Sequence, residues 1–404
     1  MTSQVVLFNG YGVAMASDSA LTMSGSRVYD TAEKIVPLPN PHQVAVLMSG
    51  NAVLCNYPYT LLLGEWARSL GPTRLGAVID YANSFLNWLD TSALFAEEQE
   101  VQQFGEHLEA LCEFVWRRVR ELSGEAEKAG TVWTAIDSLS VVKQSLEHYS
   151  GFDPLFNVEL EWLDDLMKRQ NDACVKALEY WFDDVAWSSE ADTLMTDTIR
   201  EYIGRSLWIS PARTILAFVG FGAHQLMPEY SEFDVRGAFG SHTLGRSLQA
   251  RTFEPSELRP YAGVQLLGQS GAIKTFIRGI DEGVYSRTAS IVDNAVSKVR
   301  RALEDSGVSA QILEESIGQA TQGARDEVDN QLGLVEKEVL FDDVIAGLPT
   351  GSLVSVANSL IAIQALSLAV NAELNTVGGP IDTATITRDR GFEWVDHKST
   401  RTTP

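Results

Sequence analysis

Thr2 carries a hydroxyl and, once Met1 is removed, a free α-amine on the same residue. An ordinary α-amine titrates near about pH 8, so at neutral pH an appreciable fraction is unprotonated and takes the hydroxyl proton directly or through one water. Many chains begin Met-Thr, so the dipeptide needs partners before it means chemistry. A cation near the hydroxyl stabilises the alkoxide and keeps the amine unprotonated, and an acid must hold that cation. Lys34 and Asp18 are the residues available, both at the edges of short predicted strands. A backbone N–H in a turn is needed for the oxyanion, and Ser49-Gly50 follows a predicted strand. Taken singly, Lys34 also reads as a solvated strand end and Asp18 as a turn residue.

The elements that must position these residues are legible in the first fifty positions. Val5 to Phe8, then Asn9-Gly10, then Gly12 to Ser17 predict a β-hairpin, because Asn-Gly between two apolar runs favours a tight turn. Thr2 stands at the start of its first strand. Further strands are predicted at Lys34 to Leu38 and Val44 to Met48. Residues 71–205 are rich in Leu, Ala, Glu and Trp at three- and four-residue spacing, as in Phe104, Leu108 and Leu111, and read as helical, with the tryptophans as core. Strands return at Arg213 to Gly222, at Pro228 to Val235 with a turn at Arg236-Gly237, and at Tyr261 to Leu267. Gly268 to Gly271 turns into a helix. Gly283 to about Val339 is charged and helix-periodic, and Ser352 to Ala372 is a longer apolar helix. A turn and a final strand or hairpin close the chain, with residues after Asp396 read as frayed.

Composition narrows the classes. With 404 residues, 45% of them hydrophobic, the chain can bury a large core, and disorder is not indicated. A formal charge of -23 argues against nucleic acid or an anionic membrane as partner. Cys55, Cys112 and Cys174 are far apart, odd in number and form no CxxC pair, so neither a disulfide framework nor a zinc knuckle is expected. The six histidines fall in no ligand spacing, and neither metal nor cofactor is expected. No signal peptide is read, and the apolar run around Leu360 to Val370 is broken and too short to span a bilayer. A cytoplasmic protein is expected.

Strands at both ends and helices between them predict one α+β domain assembled from distant segments, carrying a large helical insertion. The joint placement of Thr2-Ser3-Gln4-Val5-Val6, Ala16-Ser17-Asp18-Ser19, Glu33-Lys34-Ile35-Val36 and Met48-Ser49-Gly50 resembles the proteasome β-subunit and its bacterial HslV-type relatives. Counted from Thr2, Asp18 and Lys34 match that family's Asp and Lys without a gap. The resemblance covers about Thr2 to Leu70 and Thr214 to Ile280, more weakly Ser352 to Val395. It implies an N-terminal-nucleophile fold, a four-layer αββα sandwich of two antiparallel sheets built from residues 2–70 and 206–396. Residues 71–205 would be a helical insertion and 283–345 a second one.

The same resemblance implies a threonine peptidase acting through an acyl-enzyme. Thr2 would be nucleophile and base, Lys34 the positive charge, Asp18 its anchor and the Gly50 N–H the oxyanion donor. Ser270 in the Ser270-Gly271 turn would shuttle the proton, although it also reads as a helix cap. Leu21, Ala32, Val36 and Met48 would line the substrate side chain, all apolar. Met1 removal is expected because threonine is small. A polypeptide substrate, a homo-oligomer of ring type and an ATP-dependent unfoldase are the implied partners. One departure stands out: the family's late Asp is absent from Glu373 to Gly379, where Asn375 or Thr376 is the available substitute. A small-amide hydrolase and a non-catalytic scaffold remain as alternatives.

Overall fold

The computed structural model describes residues 2–23, 27–29, 32–92, 94–95, 97–210, 212–253, 261–305, 318–319, 321–328, 330, 341–371 and 377–398. Met1, the stretch from Glu373 to Thr376 and much of the proposed second insertion lie outside them. The fold is α+β, with two five-stranded antiparallel sheets and a large helical segment between their strands. By contacts the chain forms two compact units.

The first unit comprises residues 1–35, 225–229 and 251–404. Its sheet is built from β1 (Ser3–Asn9), β2 (Gly12–Ser17), β12 (Ala262–Gly268), β13 (Asp382–Thr387) and β14 (Gly391–Asp396), in the order β12-β1-β2-β13-β14. The predicted hairpin forms with Asn9 opposite Gly12. Asn9 does more than turn the chain: its side-chain amide donates to the Ile345 and Leu348 carbonyls, each at 2.8 Å, and its oxygen accepts from Tyr11 N–H. Strands β1 and β2 are buried on both faces, which is why they read as nearly continuous apolar runs. One face, with Val5, Leu7, Ala14 and Ala16, packs on Ile273 of α8 (Gly271–Arg278) and on Leu353, Ala357, Leu360 and Ile361 of α10 (Thr350–Asn371). Helix α9 (Glu282–Asp305) follows α8.

Helix α10 corrects one expectation. The apolar run extends back to Thr350, and by length and composition alone Thr350–Val370 is long enough to cross a bilayer. Here it lays one stripe on β1 and β2, while Leu366 and Val370 face outward.

The second unit comprises residues 36–224 and 230–250. Its sheet runs β11-β10-β9-β6-β5, with β5 (Ile35–Pro37), β6 (Gln43–Gly50), β9 (Thr214–Phe221), β10 (Glu229–Phe239) and β11 (His242–Arg251), while the short β7 (Val53–Leu54) and β8 (Tyr57–Pro58) pair with each other. Helices α1 (Tyr59–Leu70) and α2 (Val78–Thr91) cover one face, burying Trp66 and Phe85 against Phe218. Between α2 and β9 lie α3 (Glu97–Lys128), α4 (Ala135–Ser150), α5 (Leu160–Arg169), α6 (Asn171–Phe182) and α7 (Ser189–Glu201), ended by a π-helical turn at Tyr202–Ser206. These share a core of Phe104, Leu111, Val142, Leu166 and Tyr202, with Trp116, Trp133, Trp162, Trp181 and Trp187 half-buried around it, while Trp88 packs on the core under α1 and α2.

The turn expected at Arg236-Gly237 is not there. Strand β10 continues through both residues to Phe239, and the reversal comes at Gly240-Ser241 before β11. Gly237 is tolerated inside the strand because His107 and the Phe239 ring close on the space where a Cβ would stand.

Candidate functional site

The Thr2 side of the first unit is built by β1, β2 and the two loops that follow β2 and precede β5. Thr2 is buried at the mouth of β1, and its carbonyl accepts from Gln269 N–H at 2.7 Å, which brings the β12–α8 turn against it. Ser3 pairs with Gly268, so the turn is held in register by the sheet. Ser270 follows as the N-cap of α8; it is buried and its side chain makes no capping bond.

Asp18 lies one residue beyond β2 and is fully enclosed. Its Oδ1 accepts from two donors, the Ser3 backbone N–H at 2.9 Å and Lys34 Nζ at 2.7 Å. The ammonium is therefore one carboxylate oxygen away from the Thr2–Ser3 peptide. The other oxygen accepts from the N–H groups of Ala20 at 3.3 Å and Gly378 at 3.2 Å. A carboxylate with three backbone donors and an ammonium is satisfied despite its burial. Lys34 is fixed as well: its carbonyl accepts from the Gln4 side-chain amide at 3.1 Å. Burial pulls the Lys34 ammonium below the ordinary lysine value, against the opposing attraction of Asp18. An ammonium held in this way is a stronger proton and hydrogen-bond donor than a solvated one.

The remaining residues are placed as follows. Gly50 ends β6 in the second unit, exposed, opposite Thr214, with φ of +116° and Arg213 O standing 2.5 Å from the position a Cβ would take. Met48 is buried in the core beneath α1 and α2, and Val36 packs against the same core. Ala32 is half-buried, and its N–H donates to Ser19 O at 3.1 Å. Leu21 sits on β3 (Leu21–Met23), which pairs with β4 (Arg27–Tyr29). The substitutes considered for the missing late Asp, Asn375 and Thr376, lie outside the described residues; two positions on, Gly378 N–H reaches Asp18.

Sequence reasoning missed a second, partly buried cluster beside this one. Asp382, at the start of β13, accepts from the Lys398 N–H at 2.8 Å and pairs with the Lys398 ammonium. That ammonium also stands 3.3 Å from Glu33, whose second oxygen is 3.3 Å from His397 Nε2. His397 is thus buried and Lys398 half-buried, both of them paired and not frayed. Glu33, Asp382 and His397 also offer ligand atoms within 4.8 Å of one another, a set no sequence spacing reveals. The cation among the two carboxylates is the Lys398 ammonium.

The cysteines are free and buried, and burial pushes the Cys55 thiol up to about 12, which leaves it inert as a nucleophile.

No family model matches the chain, and no curated protein matches it. Among solved structures it is similar to an Anbu (Gly-1) mutant from Hyphomicrobium sp. strain MC1, at 11% identity and a TM-score of 0.30, covering 98% of this chain and 86% of that one. It is also similar to Anbu (ancestral beta-subunit) from Yersinia bercovieri, at 9% identity and a TM-score of 0.28, covering 98% and 89%. Likeness at this level carries no argument about chemistry. It does correct the sequence resemblance: these structures are Anbu proteins, a group distinct from the proteasome β-subunit and HslV, and even that link is distant. Three matched residues at fixed spacing identify a local arrangement, and they do not carry membership over 404 residues.

Proposed function

We propose that this chain is an N-terminal threonine hydrolase that cleaves amide bonds in polypeptides through an acyl-enzyme on Thr2. The observation that supports it is the buried Lys34–Asp18 pair bound to the backbone at Thr2–Ser3. A buried ion pair of this kind is poor value as a stabilising device, since desolvation cancels much of its attraction. In this reading the Lys34 ammonium supplies positive charge where an alkoxide develops on Thr2.

In the reaction the Thr2 hydroxyl oxygen attacks the substrate carbonyl carbon as its proton passes to the Thr2 α-amine. The tetrahedral intermediate collapses, the C–N bond breaks, and the amine returns the proton to the leaving nitrogen. Water then attacks the ester, releasing the acid and restoring the hydroxyl. Lys34 stabilises the alkoxide, Asp18 holds Lys34, and Ser270, the residue after the Gln269 whose N–H bonds the Thr2 carbonyl, assists the proton transfer. Met1 must be absent for the amine to exist. A cytoplasmic homo-oligomer belongs to the same reading.

The test is covalent. After N-terminal sequencing of the purified protein, treatment with a peptide β-lactone should add one acyl group that maps to Thr2, and Thr2→Ala should abolish it. Labelling at any other residue, or retention of Met1 in protein that still hydrolyses casein, overturns the proposal. Turnover of simple amides without casein cleavage would restrict the substrate to small molecules.

A further inference from the structure

We propose that Lys398 is a positioning residue for the Thr2 centre, holding the two segments that carry Asp18 and Lys34 in register; this rests on the threonine-hydrolase reading. Asp18-Ser19 and Glu33-Lys34 are each consecutive pairs. One member of each pair makes the buried ion bridge, and the other member is held from the C-terminal end of the chain.

On the first segment, Ser19 N–H donates to Gly378 O at 3.2 Å, and Ser19 Oγ donates to Pro380 O at 2.7 Å and lies 3.5 Å from Asp382 Oδ2. The same Gly378 donates to Asp18, so the loop before β13 grips both residues. On the second segment, Glu33 is held by Lys398 and His397. Lys398 joins the two: its ammonium bonds Asp382 on one side and Glu33 on the other, with its side chain 10% exposed and that of Asp382 4% exposed. His397 is braced in turn against the Trp394 ring, 4.1 Å between centroids. Ala32 N–H to Ser19 O closes the circuit between the segments.

This arrangement has a physical consequence. The Lys34 side chain is long and its ammonium is held to a single carboxylate oxygen, so small shifts of the Glu33-Lys34 backbone move the charge relative to Thr2. The ties from Glu33 to Lys398, and from Lys398 to Asp382 on β13, oppose that shift. Electrostatics act in the same place: the Lys398 charge opposes protonation of Lys34 and the Asp382 charge favours it, so the pair also balances the field there.

The experiment measures Thr2 acylation by a peptide β-lactone, followed by intact mass, at rising reagent concentrations. For Lys398→Met the saturating rate should fall about ten- to hundred-fold with the half-saturating concentration unchanged, the loss that a misplacement of about 1 Å produces. Lys398→Arg, which keeps the charge, should recover most of the rate. Glu33→Gln removes one arm of the clamp at its solvent-facing end and should lower the saturating rate in the same direction, without loss of folding. If Lys398→Met does not fold, Glu33→Gln decides. Wild-type saturating rates in the folded variants overturn the clamp while leaving Thr2 chemistry intact. Absence of labelling in the wild-type protein overturns both.

Discussion

Asp18 and Lys34 show how a pair can be costly to the fold and still be kept for chemistry. Asp18→Asn leaves the Lys34 ammonium buried without its counter-charge and should cost about 3–5 kcal/mol in urea-unfolding experiments. Replacing both, as Asp18→Asn with Lys34→Met, should restore part of that stability, because no unpaired charge is then left buried. The double variant should still fail to label at Thr2. Recovery of labelling with the pair removed would sink the assigned roles.

His107 makes a prediction of the opposite kind, about stability alone. It is fully enclosed, stacks on Phe239, and neither ring nitrogen has a hydrogen-bond partner among the described residues; burial lowers it from 6.5 to about 3. Because the unfolded chain binds the proton more readily, the folded state is at full advantage above pH 6.5. As pH falls from there towards about 3, this group should remove about 1.4 kcal/mol per pH unit. Urea midpoints measured between pH 4 and 7 should show a shallower slope for His107→Met than for the wild-type protein. Equal slopes would assign the acid lability elsewhere.

At the scale of elements, the β6–β9 ladder depends on two glycines that the hydrophobic pattern does not flag. Gly220 has φ of +142°, and a Cβ there would lie 2.0 Å from Gln43 O across the ladder. Gly220→Ala should therefore destabilise by on the order of 3 kcal/mol, combining left-handed strain with displacement of the partner strand. Thermal unfolding is the check, and a change within error would show that β6 and β9 can part locally. Gly50, at the other end of the same ladder, has the same requirement, so its place near the end of β6 follows from backbone geometry whether or not its N–H meets an oxyanion. The register of β10 was misread for a related reason. Arg236-Gly237 looks like a turn, yet Asp234 binds both Arg213 and Arg236 in the second unit, and that ion triad keeps the strand extended through the glycine.

For the whole molecule, the excess of 54 acidic over 31 basic residues sets a repulsive field that any self-association must overcome. Helix α10 offers apolar surface through Leu366 and Val370. Light scattering after size exclusion should give a mass that is a multiple of 44.3 kDa, and more completely at higher salt, where the Debye length shortens from about 10 Å at 0.1 M towards 3 Å at 1 M. A clean monomer at every salt concentration would overturn the oligomer.

What the sequence by itself determined is local. The Asn9-Gly10 hairpin, β6, the helical character of 71–205 and the apolar helix after Ser352 follow from turn chemistry and periodicity, which act over a few residues. The Asp18–Lys34 bridge was legible because both residues sit beside short strands close in sequence. The tertiary structure alone decided what crosses long separations. Lys398 reads from sequence as part of a frayed tail and Asp382 carries no reading at all, and no period or motif links them to Glu33, some 350 residues earlier; only the pairing of β13 with β2 brings them there. Thr2 itself reads as a common second residue until Gln269, Ser3 and Asp18 are seen to fix its backbone. Contacts of that range are selected by the global packing of sheets and helices, and a one-dimensional pattern carries no trace of them.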